Sequence, residues 1–205
     1  MIKRLAFLTL LLVLLSCSQK VSVHELLGKK AITYRPVLVK NPHIDEALQK
    51  VAFERFQELL ENPPLSVKLK RKLSLEEVVL VKKPPVEVKT FDFNLFEPYK
   101  DADLLVTMEI KELTYKERRF ETQDDEDRTR LYCVERKAEA VVLFNVANPT
   151  TRDIYFAKTY KGKYKKRKCD AKGYRPELLP KEDYVKLKAI EDAVEAFVKD
   201  FYEVL

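Results

Sequence analysis

Apolar positions recur along much of this chain at one of two spacings, two residues or three to four. Ala31 to Val39, AITYRPVLV, is dense in β-branched and aromatic residues and predicts a strand, with Pro36 pointing to a sheet edge. Asn41-Pro42 then offers a helix N-cap followed by proline at the first helical position. Ile44, Leu48, Val51, Ala52, Phe56, Leu59 and Leu60 follow at helical spacing, and Asn62-Pro63-Pro64 stops that helix. Residues 65–100 alternate like strands in LSVKLKRKL and EEVVLVKKPPVEV, but Pro84-Pro85 and scattered charges mark them as irregular or peripheral.

From Asp103 to Tyr115 the alternation is strict. Leu104, Val106, Met108 and Ile110 share one face, and Thr107, Glu109 and Lys111 the other, as in a half-buried strand. A turn at ETQDDEDRTR leads to a second long strand from about Leu131 to Ala147. NPTTRD turns the chain again into a third, from Ile154 to about Lys168. A last helix from roughly Lys181 to Leu205 aligns Leu187, Ile190, Val194, Phe197, Val198 and Phe201. Consecutive antiparallel strands with a helix at each end predict an α+β fold. Its antiparallel sheet, a long hairpin meander, packs against two amphipathic helices on one face.

A hairpin centred on Thr151 with one-to-one register pairs Val146 with Phe156, Val142 with Tyr160 and Ala138 with Tyr164. On the other face it sets Glu139 against Lys163 and Glu135 against Arg167, so apolar and charged sets separate. The same register puts Cys133 opposite Cys169. A disulfide there would close a loop worth roughly 3–4 kcal/mol on the chain-entropy model. Two separate thiols or a redox pair are the alternatives. The spacing is not Cys-x-x-Cys, and no His or further Cys stands near for a metal.

The third cysteine lies elsewhere. Lys3 and Arg4 precede the apolar run Leu5 to Leu15, too short for the ~20 residues of a membrane span and fitting a signal-peptide core. The run ends at Leu14-Leu15-Ser16-Cys17, which resembles the lipobox of bacterial lipoproteins. That resemblance implies removal of residues 1–16 and acylation of Cys17, a palmitate-type anchor in which each buried methylene adds about 0.8 kcal/mol. By the family's sorting rules, Ser18 in place of Asp points to the outer membrane, with the protein on its periplasmic side. Residues 17–30 then form the lipidated N-terminus and tether, and 31–205 a single domain. An exported protein meets an oxidising compartment, which favours the disulfide.

Composition narrows the function classes. At 46% hydrophobic and 35% charged residues, the roughly 188 residues after the signal are globular rather than disordered. Three glycines and abundant Lys and Glu give a thermophile-like bias. The net charge is +6, of which Lys3 and Arg4 supply two. For an exported lipoprotein, nucleic acid is not an expected partner; anionic lipid, lipopolysaccharide or cell-wall polymer is. The basic run Lys161, Lys163, Lys165, Lys166, Arg167 and Lys168 is the candidate contact. Acids of the DDED turn, residues 124–127, are its candidate intramolecular neutralisers.

Signals for chemistry are weak. Three scattered glycines build no phosphate loop, and His24 and His43 have no ligand-spaced partners. DDED, started at Asp124, puts Arg128 and Thr129 where a calcium loop needs an oxygen ligand and glycine. No catalytic residue, metal site or cofactor is therefore expected. The order of strand, amphipathic helix, DADLLVTMEI, AEAVVLFNVANPTTRDIYFAKTY and KAIEDAVEAFVKDF resembles the small lipoproteins that assist lipopolysaccharide assembly. It is also similar to the N-terminal-domain fold of the Tol-system propeller protein, shared by lipoproteins that activate cell-wall synthases. The first resemblance implies a non-enzymatic accessory factor in lipopolysaccharide export. The second implies a binding module that regulates a cell-wall synthase or secretion channel. An envelope enzyme is the remaining alternative.

Overall fold

The computed structural model describes residues 31–64, 79–124, 126 and 128–204. The signal segment, Cys17, His24, the tether and the LSVKLKRKL stretch lie outside these residues. Strand β1 (Ala31–Val39) leads into helix α1 (Glu46–Glu61), then the short strands β2 (Val79–Lys82) and β3 (Val86–Val88) and a 3-10 segment (Phe93–Tyr99). Three long strands follow: β4 (Leu104–Gln123), β5 (Arg130–Ala147) and β6 (Ile154–Asp170). Helix α2 (Glu182–Val204) ends the described chain.

The sheet is mixed, not antiparallel throughout. Its order is β2-β1-β4-β5-β6, with β3 also beside β1, and β1 runs parallel to β2, β3 and β4. The first helix explains the difference. A chain that leaves a strand through a helix lying on the sheet returns parallel to it, which a hairpin cannot do. The long meander is antiparallel as expected, and the β5–β6 register is the one the sequence predicts from Val146↔Phe156 to Cys133↔Cys169.

Pro36 therefore sits inside the sheet. Lys83 N–H donates to the Tyr34 carbonyl, so the β2–β3 side is the one that the Pro36 nitrogen also faces. There the neighbouring strand is interrupted between Lys82 and Val86, and no ladder bond is lost. Arg35 braces the gap, donating to the Pro84 carbonyl at 2.6 Å and to both Asp101 oxygens at 2.9 and 3.1 Å.

Asn41 is not the helix cap. Asp45 is, accepting from Leu48 N–H at 2.8 Å. The helix consequently begins a turn later, Val51 stands 46% exposed, and Phe53 joins the buried face with Leu48, Ala52, Phe56, Leu59 and Leu60.

Both helices pack on one face of the sheet around Phe144, Phe56 and Phe197, with Phe144 stacked on Phe197 at 4.2 Å. Helix α2 lies so close to β6 that a Cβ on Gly162 would stand 1.9 Å from the Ala189 carbonyl oxygen. On the opposite face, Val37, Val39, Leu105 and Phe96 form a smaller core, so the lower sheet is buried on both sides.

Candidate functional site: the open face of the three-stranded ribbon

β1 accompanies β4 only from Leu104 to Met108, and the sheet continues beyond it as a ribbon of β4, β5 and β6. Where the ribbon begins, β4 carries a bulge. Ile110 pairs with Val142 and Glu112 with Val141, leaving Lys111 extra. A one-residue insertion reverses which face each later side chain takes. Leu113, Tyr115 and Glu117 turn to the helix side, while Thr114, Lys116 and Arg118 turn to the outer side.

Asn41 holds this kink. Its side-chain amide donates to the carbonyls of Ile110 (2.8 Å) and Lys111 (3.2 Å), and buried Gln49 fixes the Asn41 backbone through its N–H and its C=O. The strict alternation expected through Lys111 thus breaks at that residue. The sequence did carry the signal: apolar positions step by two from Leu104 to Ile110, then by three to Leu113.

The helix side of the ribbon is partly covered. Tyr174 packs edge-on against Tyr132, and Tyr184 against Tyr164. Arg136 donates to the carbonyls of Leu179 (3.3 Å) and Pro180 (2.7 Å), tying down the approach to α2. It also donates to Glu117 at 2.9 Å, and that bond, with a second from Arg119, holds the Glu117 carboxyl below its ordinary range.

The outer side is open and basic. Its cross-strand rows read Thr114–Glu139–Lys163, Lys116–Lys137–Lys165, Arg118–Glu135–Arg167 and Phe120–Cys133–Cys169. The first three rows hold six cations and two carboxylates. Lys116, Arg118, Glu135, Lys137 and Lys165 line a shallow hollow of about 250 Å³. Glu135 meets Lys165 at 2.7 Å, and Glu139 meets Lys137 at 2.6 Å and Lys163 at 3.9 Å. The bond from Lys137 is the main cause holding the Glu139 carboxyl below its usual range.

The basic run from Lys161 to Lys168 is thereby divided. Lys161, Lys163, Lys165 and Arg167 belong to the outer face, while Lys166 and Lys168 alternate to the helix side. Among the described residues Glu135 and Glu139 meet side chains of the run, and Asp192 accepts from the Lys163 backbone N–H at 2.9 Å. Asp125 and Asp127 of the DDED turn lie outside the described residues. Lys116, Arg118 and Lys137 join from neighbouring strands, which the run alone did not reveal. Within the turn, Asp124 Oδ1 accepts from Glu126 N–H at 3.0 Å. His43 lies beside α1, its N–H donating to the Asn41 side chain at 3.0 Å.

Cys133 and Cys169 are bonded to each other, their Cα atoms 4.0 Å apart. Arg167 lies over the Phe120 ring at 4.9 Å and reaches both sulfurs, at 3.3 and 3.4 Å. The disulfide closes the far end of the basic face.

Among the described residues no helix is long and apolar enough to cross a membrane, and no group of His, Cys, Asp or Glu is arranged to hold a metal ion. No protein-family model matches the chain. Its fold overlaps a neuraminyllactose-binding hemagglutinin homolog from Helicobacter pylori at 14% identity and a TM-score of 0.46, covering 82% of both chains. It overlaps rare lipoprotein B from Shewanella oneidensis at 12% identity and a TM-score of 0.27, over 82% of this chain and 88% of that one. At these scores neither overlap identifies a function. An Aquifex aeolicus protein described only as uncharacterized is 45% identical over 202 residues, 98% of this chain and 99% of its own length. The chain belongs to the same family as that protein.

Proposed function

We propose that this protein is an envelope lipoprotein, anchored through lipid on Cys17, whose domain works on the periplasmic side as a non-enzymatic accessory or assembly factor. The observation that carries the proposal is the Leu14-Leu15-Ser16-Cys17 box after an apolar run and two basic residues. The disulfide supports it independently. Cys133 and Cys169 are joined, as suits an oxidising compartment, and that leaves Cys17 as the remaining cysteine of three. Outer-membrane placement and a task in lipopolysaccharide export are the finer parts of the proposal, supported by Ser18 and by the order of elements.

Labelling cells with a palmitate analogue tests the anchor. The wild type is expected to incorporate label and to stay with membranes after a carbonate wash, and Cys17→Ala to lose both. A Cys17→Ala protein that remains in the membrane pellet overturns the anchor. Purifying the lipidated protein from mildly solubilised envelopes tests the task. A stoichiometric outer-membrane barrel supports the export role, whereas a cell-wall synthase or secretion channel replaces it with a regulatory one.

A further inference from the structure

We infer that the outer face of the ribbon, centred on Lys116, Lys137 and Lys165, is a docking surface for the phosphates of an anionic membrane, and that the domain lies along the bilayer that holds its lipid. The inference rests on the anchored-lipoprotein reading and adds how the domain is oriented.

The row Lys116–Lys137–Lys165 sets three lysines side by side on strands about 4.8 Å apart. Like charges in directly opposed positions repel and are avoided where nothing compensates them. Glu135 and Glu139 pair with Lys165 and Lys137, and Lys116 also attracts Glu139 from the next strand, so two carboxylates face six cations. The face thus keeps unspent positive charge around a hollow, and phosphate oxygens brought against it relieve the repulsion. The bulge is what gathers these charges. Without the extra Lys111, Lys116 and Arg118 would point at the helices.

The shape suits a surface rather than a small ion. The cations form a grid three strands wide on the outer side, whereas the helix side is partly covered by α2 and the loop before it. Reach is consistent as well. The thirteen residues from 18 to 30 extend at most ~45 Å. At about 3.4 Å per residue, the twelve steps from Leu104 to Lys116 put the basic grid ~40 Å along β4 from the base. A domain tethered at its base therefore has enough slack to lie with this face on the same membrane. Each lysine beside such a surface contributes about 1 kcal/mol.

Lysine acylation read by peptide mass spectrometry tests this on the full lipidated protein. It would be reconstituted into vesicles of phosphatidylcholine alone and of phosphatidylcholine with phosphatidylglycerol. In the anionic vesicles, labelling of Lys116, Lys137 and Lys165 is expected to fall about fivefold, matching ~1 kcal/mol per lysine. Lys50, on a helix packed against the opposite face, should label equally in both. Raising the salt should restore labelling of the grid. The combined variant Lys116→Ser, Lys137→Ser, Lys165→Ser should lose protection at Lys163.

Equal labelling in both vesicle types overturns the inference while leaving the anchor intact. Failure to float with neutral vesicles counts against the anchor instead. Protection in neutral vesicles by inorganic phosphate or polyphosphate, equal to that by phosphatidylglycerol, overturns the membrane as occupant and assigns the face to a free anion.

Discussion

At the base of the sheet, Val106, Met108 and Ile110 face two helices, while on the other side of the same strand Leu105 packs with Phe96 of the 3-10 segment and Thr107 is buried as well. A dozen residues further along β4, Tyr115 and Glu117 still face α2 and the loop before it, but Lys116 and Arg118 face solvent. The antiparallel β4–β5 pairing runs through both parts, interrupted at the Lys111 bulge. The difference is in what each part can lose. The base is held by burial on two sides. The ribbon is held by one covered face, a disulfide and a braced bulge, and its other face is left for contact.

The largest expected effect breaks the base. Phe197 touches Phe144, Phe56, Phe156, Tyr160 and Phe201, so Phe197→Ala opens a cavity where both helices meet the sheet. Truncations of this kind cost about 3–5 kcal/mol. Urea unfolding should show that loss as one cooperative transition of base and ribbon together. A ribbon that keeps its structure after the base has unfolded would show the two to be independent.

Next comes the far end of the ribbon. Replacing Cys133 and Cys169 together by Ser removes a cross-link between residues 36 apart, worth about 2–4 kcal/mol in proteins generally. Because the bond sits beyond most of the covered face, its loss should also be local. Hydrogen exchange should quicken near Phe120, Val134 and Lys168 while Met108 and Phe144 remain protected. Uniform acceleration would mean that the bond supports the whole fold.

The bulge joins the two regions. Asn41→Ala leaves the partly buried Ile110 carbonyl and the exposed Lys111 carbonyl without their side-chain donor, which costs about 1 kcal/mol. The expected signature is faster exchange at Lys111 and Glu112 without change at the disulfide. An unaltered bulge would shift its support to Gln49 and the strand pairing.

These particulars also show where the sequence was and was not legible. The hairpin register followed from period-2 alternation on two long strands, because one slip would have buried Glu139 and exposed Val142. Pro36 misled because a proline is read as an edge mark, and the interruption that accommodates it lies some fifty residues away, at Pro84. Asn41 misled because Asn-Pro resembles a cap, while its actual partners are near Ile110, a long-range contact that local spacing does not encode. The basic grid was half visible. Lys163, Lys165 and Arg167 stand in one run, but Lys116, Arg118 and Lys137 reach them only through strand pairing and the parity change at Lys111.

The smallest effect concerns how the ribbon's covered face closes. Arg136 joins Glu117 to the carbonyls before α2, and the Glu117 carboxyl titrates below its ordinary value. A depressed carboxyl stabilises the fold fully above the unfolded value, about 4.3 for Glu, and that stabilisation disappears as pH falls through the folded value. Glu117→Gln should therefore cost under ~1 kcal/mol at neutral pH, as partly exposed pairs do. The gap between wild type and variant should close in acid. Arg136 keeps its bonds to Leu179 and Pro180 in the variant, so the arginine is not stranded. A gap that persists at low pH would mean that Glu117 acts through packing rather than charge. The covered face would then differ from the open one in its contacts alone, not in the way its charges are spent.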